Sequence, residues 1–399
     1  MKIKYLFIFS ILALQTALSG SIKLFRDSVK VNFAEIESAA EANKDLWNRN
    51  LYAPLLLVDP STRKVLANFP DTSHILRKEG EIYTGKLPDN VNTSNTALEW
   101  GGVKWAMVML PLPENKEERL NLILHELFHA FQPELGFTAY NPGNDHLDKK
   151  EARVYLRLEL EALKNALMAV SNSEVKRHLA NAFSFRKFRR QLYPGSDTTE
   201  NQLELNEGLA EYTGVMCSGR GSQAMRAHFI EAIESFFSYP SYTRSFAYQT
   251  IPVYGYLLSR ESKYWNLKIN GTTDLTDFFI NEFNPVFLEN ISEIIKDADT
   301  LYGRNKILQE ETKREKEITA KLAGYRNKFV KNPHLNLFFE NMSISFDPRD
   351  ITPLDEHGSV YPNIRVVDNW GILTVESGSL LSPSWNKITV SEPLDIKER

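Results

Sequence analysis

Hydrophobic and polar positions alternate on two different periods along this chain, and the switches between them divide it into regions. Residues 33–46 carry a charged helical pattern. From Tyr52 the texture becomes β: Leu55-Leu56-Leu57-Val58 ends at Asp59-Pro60-Ser61, and Lys64-Val65-Leu66-Ala67-Asn68 follows, which predicts a hairpin. Glu81-Ile82-Tyr83-Thr84 predicts a further strand. Residues 100–110, with Gly101-Gly102 and then alternating Val103, Trp105, Met107 and Met109, predict a strand ahead of the next helix. Over residues 117–132 the period changes to that of a helix: Leu120, Ile123, Leu124, Leu127, Phe128 and Phe131 fall on one side, and Pro133 and Gly136 close the run. Helical patterns then dominate residues 149–170, 175–193, 207–216, 223–237, 246–259, 287–296 and 305–329. From Leu335 onward short β runs return at 342–346, 364–367, 371–377 and 387–390, punctuated by Asp-Pro, Tyr-Pro, Ser-Gly and Ser-Pro.

This order predicts an α+β protein: an N-terminal mixed sheet, a mainly helical middle and a small C-terminal β module. The expected divisions are a leader at 1–19, an α/β region at 20–115, a helical core at 116–334 and a β-rich region at 335–399. The leader pattern is a basic start (Lys2, Lys4), a nearly unbroken apolar stretch at 5–14 and small residues at Ala17-Leu18-Ser19. That is the pattern of a secretory signal, and it predicts a secreted or periplasmic mature protein. No other apolar run approaches membrane length, so no transmembrane segment is expected.

Composition narrows the function classes. With 399 residues, 42% hydrophobic, 25% charged and a formal net charge of −4, the chain is ordinary globular protein, with no basic excess to suggest a nucleic-acid partner. The basic run Arg186-Lys187-Phe188-Arg189-Arg190 ends a predicted helix and reads as a solvated face. Cys217 is the only cysteine, which rules out an internal disulfide; it reads as a small buried apolar group, not a nucleophile.

Chemistry enters with Leu124-His125-Glu126-Leu127-Phe128-His129. Two histidines four apart lie on one helical face, so both imidazoles can reach one ion. They fall opposite the apolar stripe, on a side that can face a cleft. Glu126 is offset around the helix, in a place to take a proton from an activated water instead of binding the ion. A catalytic zinc has three protein ligands, so a third must come from elsewhere. Asn206-Glu207-Gly208-Leu209-Ala210-Glu211 puts two acids a turn apart, Glu207 and Glu211, behind a candidate N-cap at Asp197 or Thr198. Like charges at that spacing cost a lone helix stability, and a cation on one acid with a histidine on the other would offset it.

His-Glu-x-x-His followed by Asn-Glu-x-x-x-Glu resembles the gluzincin metallopeptidases, the clan of thermolysin and aminopeptidase N. The resemblance covers roughly residues 117–260. It implies one Zn2+ ion bound by His125, His129 and Glu207, with Glu126 as general base and Glu211 orienting His125. It also implies a tyrosine that stabilises the oxyanion. In aminopeptidases this lies in Tyr-x-x-Gly; the nearest stretch here is Tyr248-Gln249-Thr250-Ile251, with isoleucine in place of glycine and Tyr254 in reserve. The best-known members separate the two zinc motifs by far fewer residues than the segment 130–206 found here, which implies an inserted helical region or a distinct branch. The strand before the metal helix commonly holds an extended substrate at a sheet edge in such enzymes, so Lys104, Trp105, Ala106, Met107, Val108 and Met109 are the expected peptide-binding strand.

The expectation is therefore a zincin-like, exported zinc metallopeptidase acting on a peptide or protein substrate. The alternatives are a non-catalytic metal- or peptide-binding protein on the same scaffold, and a hydrolase of another amide. No Gly-x-Met-Glu-Asn stretch is present to grip a free amine, which tips the reading toward an endopeptidase or an exopeptidase with another grip. His146 in a polar loop, and Glu159 and Glu161 on the following helix, are accessory candidates whose ordinary reading is a solvated surface.

Overall fold

The computed structural model describes residues 29–391 apart from 89, 90, 92, 289, 290 and 347–350. The expected leader, residues 1–19, lies outside the described residues. The chain divides into two compact units, residues 1–302 and 303–399. The boundary thus precedes the expected one at 334/335, and the long charged helix groups with the C-terminal strands.

The first unit opens with a helix over residues 29–42 (α1), followed by a six-stranded sheet. Its strands are β1 (Leu55–Val58), β2 (Lys64–Ala67), β3 (Arg77–Glu79), β4 (Ile82–Lys86), β5 (Thr96–Trp100) and β6 (Val103–Met109), in the order β3-β4-β2-β1-β6-β5. β1 and β2 form the expected hairpin, with Leu56 opposite Ala67. β1 is apolar at every position because it lies at the centre, covered on both faces. It pairs in parallel with β6, Leu55 beside Ala106, which makes the sheet mixed.

The expected substrate strand is corrected here. β6 is not an edge: β1 flanks it on one side and β5 on the other. Trp105, Ala106, Met107 and Val108 are fully buried, while Lys104 and Met109 are half-buried. Gly101 and Gly102, at φ 58° and 73°, form a two-residue turn that folds β5 back onto β6, with Trp100 opposite Val103. What reads as one strand from 100 to 110 is therefore the second arm of a hairpin, and the free edge belongs to Thr96–Trp100.

Helices make up the rest of this unit. They are α2 (Lys116–Phe131), α3 (Lys150–Met168), α4 (Asn172–Leu192), α5 (Ser196–Leu203), α6 (Leu209–Cys217), α7 (Ser222–Phe236), α8 (Ala247–Ser259), α9 (Leu275–Phe283) and α10 (Ile291–Tyr302). α2 starts where the Asn115 side chain accepts from the Glu118 amide at 2.9 Å. Of its apolar stripe, Leu120, Ile123, Leu124, Leu127 and Phe128 are buried as the period predicts, and Phe131 at the helix end is half-buried.

Residues 196–217 do not form one regular helix. Between α5 and α6, Glu204–Gly208 widens into a π turn, with the Leu209 amide bonding the Glu204 carbonyl. The N-cap is Gly195 in a left-handed conformation, so Asp197 and Thr198 lie in the first turn instead of capping it. α8 continues unbroken through Pro252.

The second unit contains α11 (Arg304–Arg326) and the C-terminal strands β7 (His334–Phe338), β8 (Ser343–Phe346), β9 (Thr352–Pro353), β10 (Ser359–Tyr361), β11 (Ile364–Asp368), β12 (Gly371–Val375), β13 (Ser379–Leu381) and β14 (Lys387–Ser391). They form a five-stranded antiparallel sheet, β7-β14-β13-β10-β9, and a three-stranded one, β12-β11-β8. These strands make sheets of their own and add none to the N-terminal sheet. The chain as described is α+β, and no described helix is long and apolar enough to cross a membrane.

Candidate metal centre

α2 and α6 approach closely enough for their polar residues to mesh. The contact is set at Gly214, where an added Cβ would sit 2.4 Å from the Asn121 carbonyl oxygen. Glycine there lets the backbones close, and the face of α2 opposite its apolar stripe is consequently buried too. His125 is 5% exposed and Glu126 6%, so His125 looks at α6 and the π turn, while His129 and Glu207 keep part of their side chains exposed.

The two motifs meet. His125 Nε2 lies 3.2 Å from His129 Nε2 and 3.5 Å from Glu207 Oε2, and His129 Nε2 lies 3.4 Å from the same carboxylate oxygen. A tetrahedral zinc with bonds of ~2.0–2.1 Å to nitrogen and oxygen spaces its ligand atoms about 3.3 Å apart. The triangle has that edge length on every side. Among the described residues, these three are the cluster able to hold an ion.

The other ring nitrogens explain why both lone pairs point inward. His125 Nδ1 donates to Glu211 Oε2 at 2.9 Å, and Asn121 Nδ2 donates to Glu211 Oε1 at 2.9 Å. His129 Nδ1 donates to Gln132 Oε1 at 2.8 Å; Gln132 Nε2 donates to Asn206 Oδ1 at 2.9 Å; Asn206 Nδ2 donates to Glu207 Oε1 at 3.0 Å. The Gln132–Asn206–Glu207 relay fixes each amide's direction, because it ends on an acceptor-only carboxylate. Both Nδ1 atoms therefore carry a proton, and in the neutral rings both Nε2 atoms present lone pairs. Two lone pairs and a carboxylate oxygen converging on one point repel unless a proton or a metal cation lies among them. This donor set fits a divalent ion.

Titration shows the same demand for positive charge at this point, which a proton meets when no ion is bound. Burial disfavours the charged imidazolium of His125, yet hydrogen bonds and charge from Glu207 and Glu211 outweigh it and push the ring up to about 10. Burial would raise Glu207 and Glu211, but their histidine partners hold both below the usual carboxylate range. Glu126 goes the other way: burial raises it, only partly opposed by the two histidines. It has no hydrogen-bond or ion-pair partner among the described residues. A carboxylate with a raised pKa and no partner is suited to take up and release a proton.

Tyr248 joins the group from α8. Its hydroxyl donates to Glu207 Oε2 at 2.5 Å and its ring stacks on His125 at 5.4 Å between centroids. Burial, then the Glu207 charge, keeps the phenol protonated. The isoleucine that departs from Tyr-x-x-Gly has a counterpart across the contact. A Cβ at Gly208 would fall 2.8 Å from Ile251 Cβ, so the small residue that lets α8 close on the π turn is Gly208.

The remaining candidates lie elsewhere. Tyr254 is buried and donates to Glu159 at 3.1 Å, which removes it as a reserve for Tyr248. His146 pairs with Glu200 at 2.8 Å, away from the triangle and not solvated. Glu161 meets Lys164 on the surface of α3. Cys217 is buried and its thiol is pushed up to about 12 by desolvation, in keeping with an inert apolar group.

The basic run is the largest correction. Arg186 and Arg189 are fully buried, and with Arg190 they meet Glu159, Glu200 and Glu204 in an ionic network. α3 carries the signal for it. Val154, Leu156, Leu158 and Leu160 alternate around the whole helix, so Glu159 between them must be buried and paired. Gln132 and Asn121 were legible too: one lies a turn after His129, the other a turn before His125.

Comparison of the whole chain with known protein families, characterised proteins and solved structures returns no match, so the site's own geometry carries the functional argument.

Proposed function

We propose that this chain is an exported zinc-dependent peptidase, with one ion held by His125, His129 and Glu207. The observation carrying this reading is the near-equilateral triangle of two imidazole lone pairs and one carboxylate oxygen, 3.2–3.5 Å on a side, with both Nδ1–H groups already committed. The leader pattern at 1–19 supports export. Bound there, zinc would supply Lewis acidity, polarising the scissile carbonyl and acidifying the attacking water.

The chain's own groups do the proton work. Glu126 accepts a proton from the water as its oxygen bonds the carbonyl carbon. The same proton passes to the amine nitrogen as the C–N bond breaks, and Glu126 ends the cycle ionised. Tyr248 keeps its phenolic proton and, by exchanging its Glu207 partner for the substrate, acts as a hydrogen-bond donor to the carbonyl oxygen as charge builds there. Glu211 and Gln132 hold the imidazoles in the required tautomer. An extended substrate would pair along the free edge at Thr96–Trp100, since Lys104–Met109 is already paired on both sides.

The test is Glu126→Gln in the full chain loaded with zinc. Cleavage of a diverse peptide library is expected to be abolished while zinc stays near one per chain. Undiminished cleavage by the variant, or a zinc-loaded wild type that cleaves nothing, refutes the proposal; the second result favours a binding protein on the same scaffold.

A further inference from the structure

The π turn that presents Glu207 is a wider and less favourable helical geometry than its neighbours, and something must hold it. Its first residue, Glu204, is fully buried, and its carbonyl accepts the bond that defines the turn. The Glu204 carboxylate accepts from Arg186 Nη2 at 2.7 Å and Nη1 at 3.0 Å, from Arg190 Nη2 at 3.4 Å, and from the Thr250 hydroxyl at 2.7 Å. Arg186 is fixed in turn by Glu159 at 2.7 Å and Thr276 at 3.1 Å. Glu204 thus precedes Glu207 by less than one turn, and Thr250 follows Tyr248 by two positions on α8.

We propose that Arg186, Glu204 and Thr250 form a positioning clamp for the metal centre. Arg186 pins the start of the π turn to α4. The Thr250 hydroxyl ties the same carboxylate to α8, so that Glu207 and Tyr248 are brought together by one buried charge. None of the three touches the ion or the substrate. Their effect is the alignment of a ligand with the phenol that bonds it, and the inference rests on Glu207 being a ligand.

The two variants Thr250→Val and Thr276→Val separate positioning from bulk stability. Each is nearly isosteric and removes one buried hydroxyl from the same network, but only Thr250 contacts the π-turn carboxylate. Zinc dissociation constants, measured with a competing chelator on the full chain, are the readout. Thr250→Val is expected to weaken zinc about tenfold, with Thr250→Ser restoring it, while Thr276→Val stays within about twofold. Equal losses in both variants, or no loss in Thr250→Val, overturn the clamp. A wild type that binds no zinc overturns instead the reading beneath it. If Thr250→Val does not fold, Thr250→Ser and Thr250→Ala carry the comparison, since both lack the methyl and only one keeps the hydroxyl.

Discussion

Arg186→Met removes the centre of the buried ionic network and keeps most of the side chain's volume. In the native chain the guanidinium serves Glu159 at 2.7 Å and Glu204 at 2.7 and 3.0 Å, with no exposure of any of the three side chains. Without it three buried carboxylates face two arginines, one of them reaching Glu204 only at 3.4 Å. Removing one partner of a buried ion pair costs roughly 3–5 kcal/mol, chiefly because a charge is left uncompensated. Against a total of ~5–15 kcal/mol for a folded domain, that is a large share. At ~2–4 °C per kcal/mol for a unit of this size, the melting temperature should fall by roughly 6–20 °C. The assay is thermal and urea unfolding followed by far-ultraviolet circular dichroism, with a chelator in excess so that zinc binding does not contribute. Adding Glu204→Gln to Arg186→Met should recover part of the loss, because it removes the orphaned charge. A single-variant loss under about 1 kcal/mol, the size usual for an exposed pair, would refute the reasoning. So would a double variant no more stable than the single.

Three further outcomes follow from the same geometry. Gln132→Leu leaves the His129 Nδ1–H without its acceptor and should weaken zinc binding roughly 10–100-fold by chelator competition, with little change in helical content. Gly208→Ala puts a methyl 2.8 Å from Ile251 and 3.2 Å from the Ala247 carbonyl, which should cost about 1–3 kcal/mol in thermal unfolding and loosen zinc as Tyr248 is displaced. Glu159 and Glu200 would be raised by burial, but their arginine partners hold both below the ordinary value. Their stabilisation is therefore present above the unfolded pKa of about 4.3 and is lost as pH falls below it. Urea midpoints of the chelated protein should drop steeply below about pH 4.

Much of this arrangement was legible from residue order, because its determinants are local. The helical period of residues 117–132 and the four-residue spacing of His125 and His129 are properties of one helix. The spacing of Glu207 and Glu211 is local too, although the π turn between α5 and α6 is not visible in propensity. What residue order hid is long-range. Val103, Trp105, Met107 and Met109 alternate like the face of a half-covered strand, yet the strand lies inside the sheet because Gly101-Gly102 turns β5 onto it. Arg186, Arg189 and Arg190 look like a wet helix end until Glu159 and Glu200 arrive from two other helices. The departure at Ile251 is likewise answered only in space, by Gly208 on the facing turn. Charge pairs between distant helices leave no local period, so only the all-round apolar pattern of α3 hinted at them.

The most direct test of the central claim is the metal content of the pure full-length chain beside that of Glu207→Ala, by elemental mass spectrometry after dialysis against trace chelator. Convergence of His125, His129 and Glu207 on one ion predicts close to one zinc per chain in the wild type and almost none in the variant. Zinc absent from the wild type, or held equally by both proteins, would contradict it.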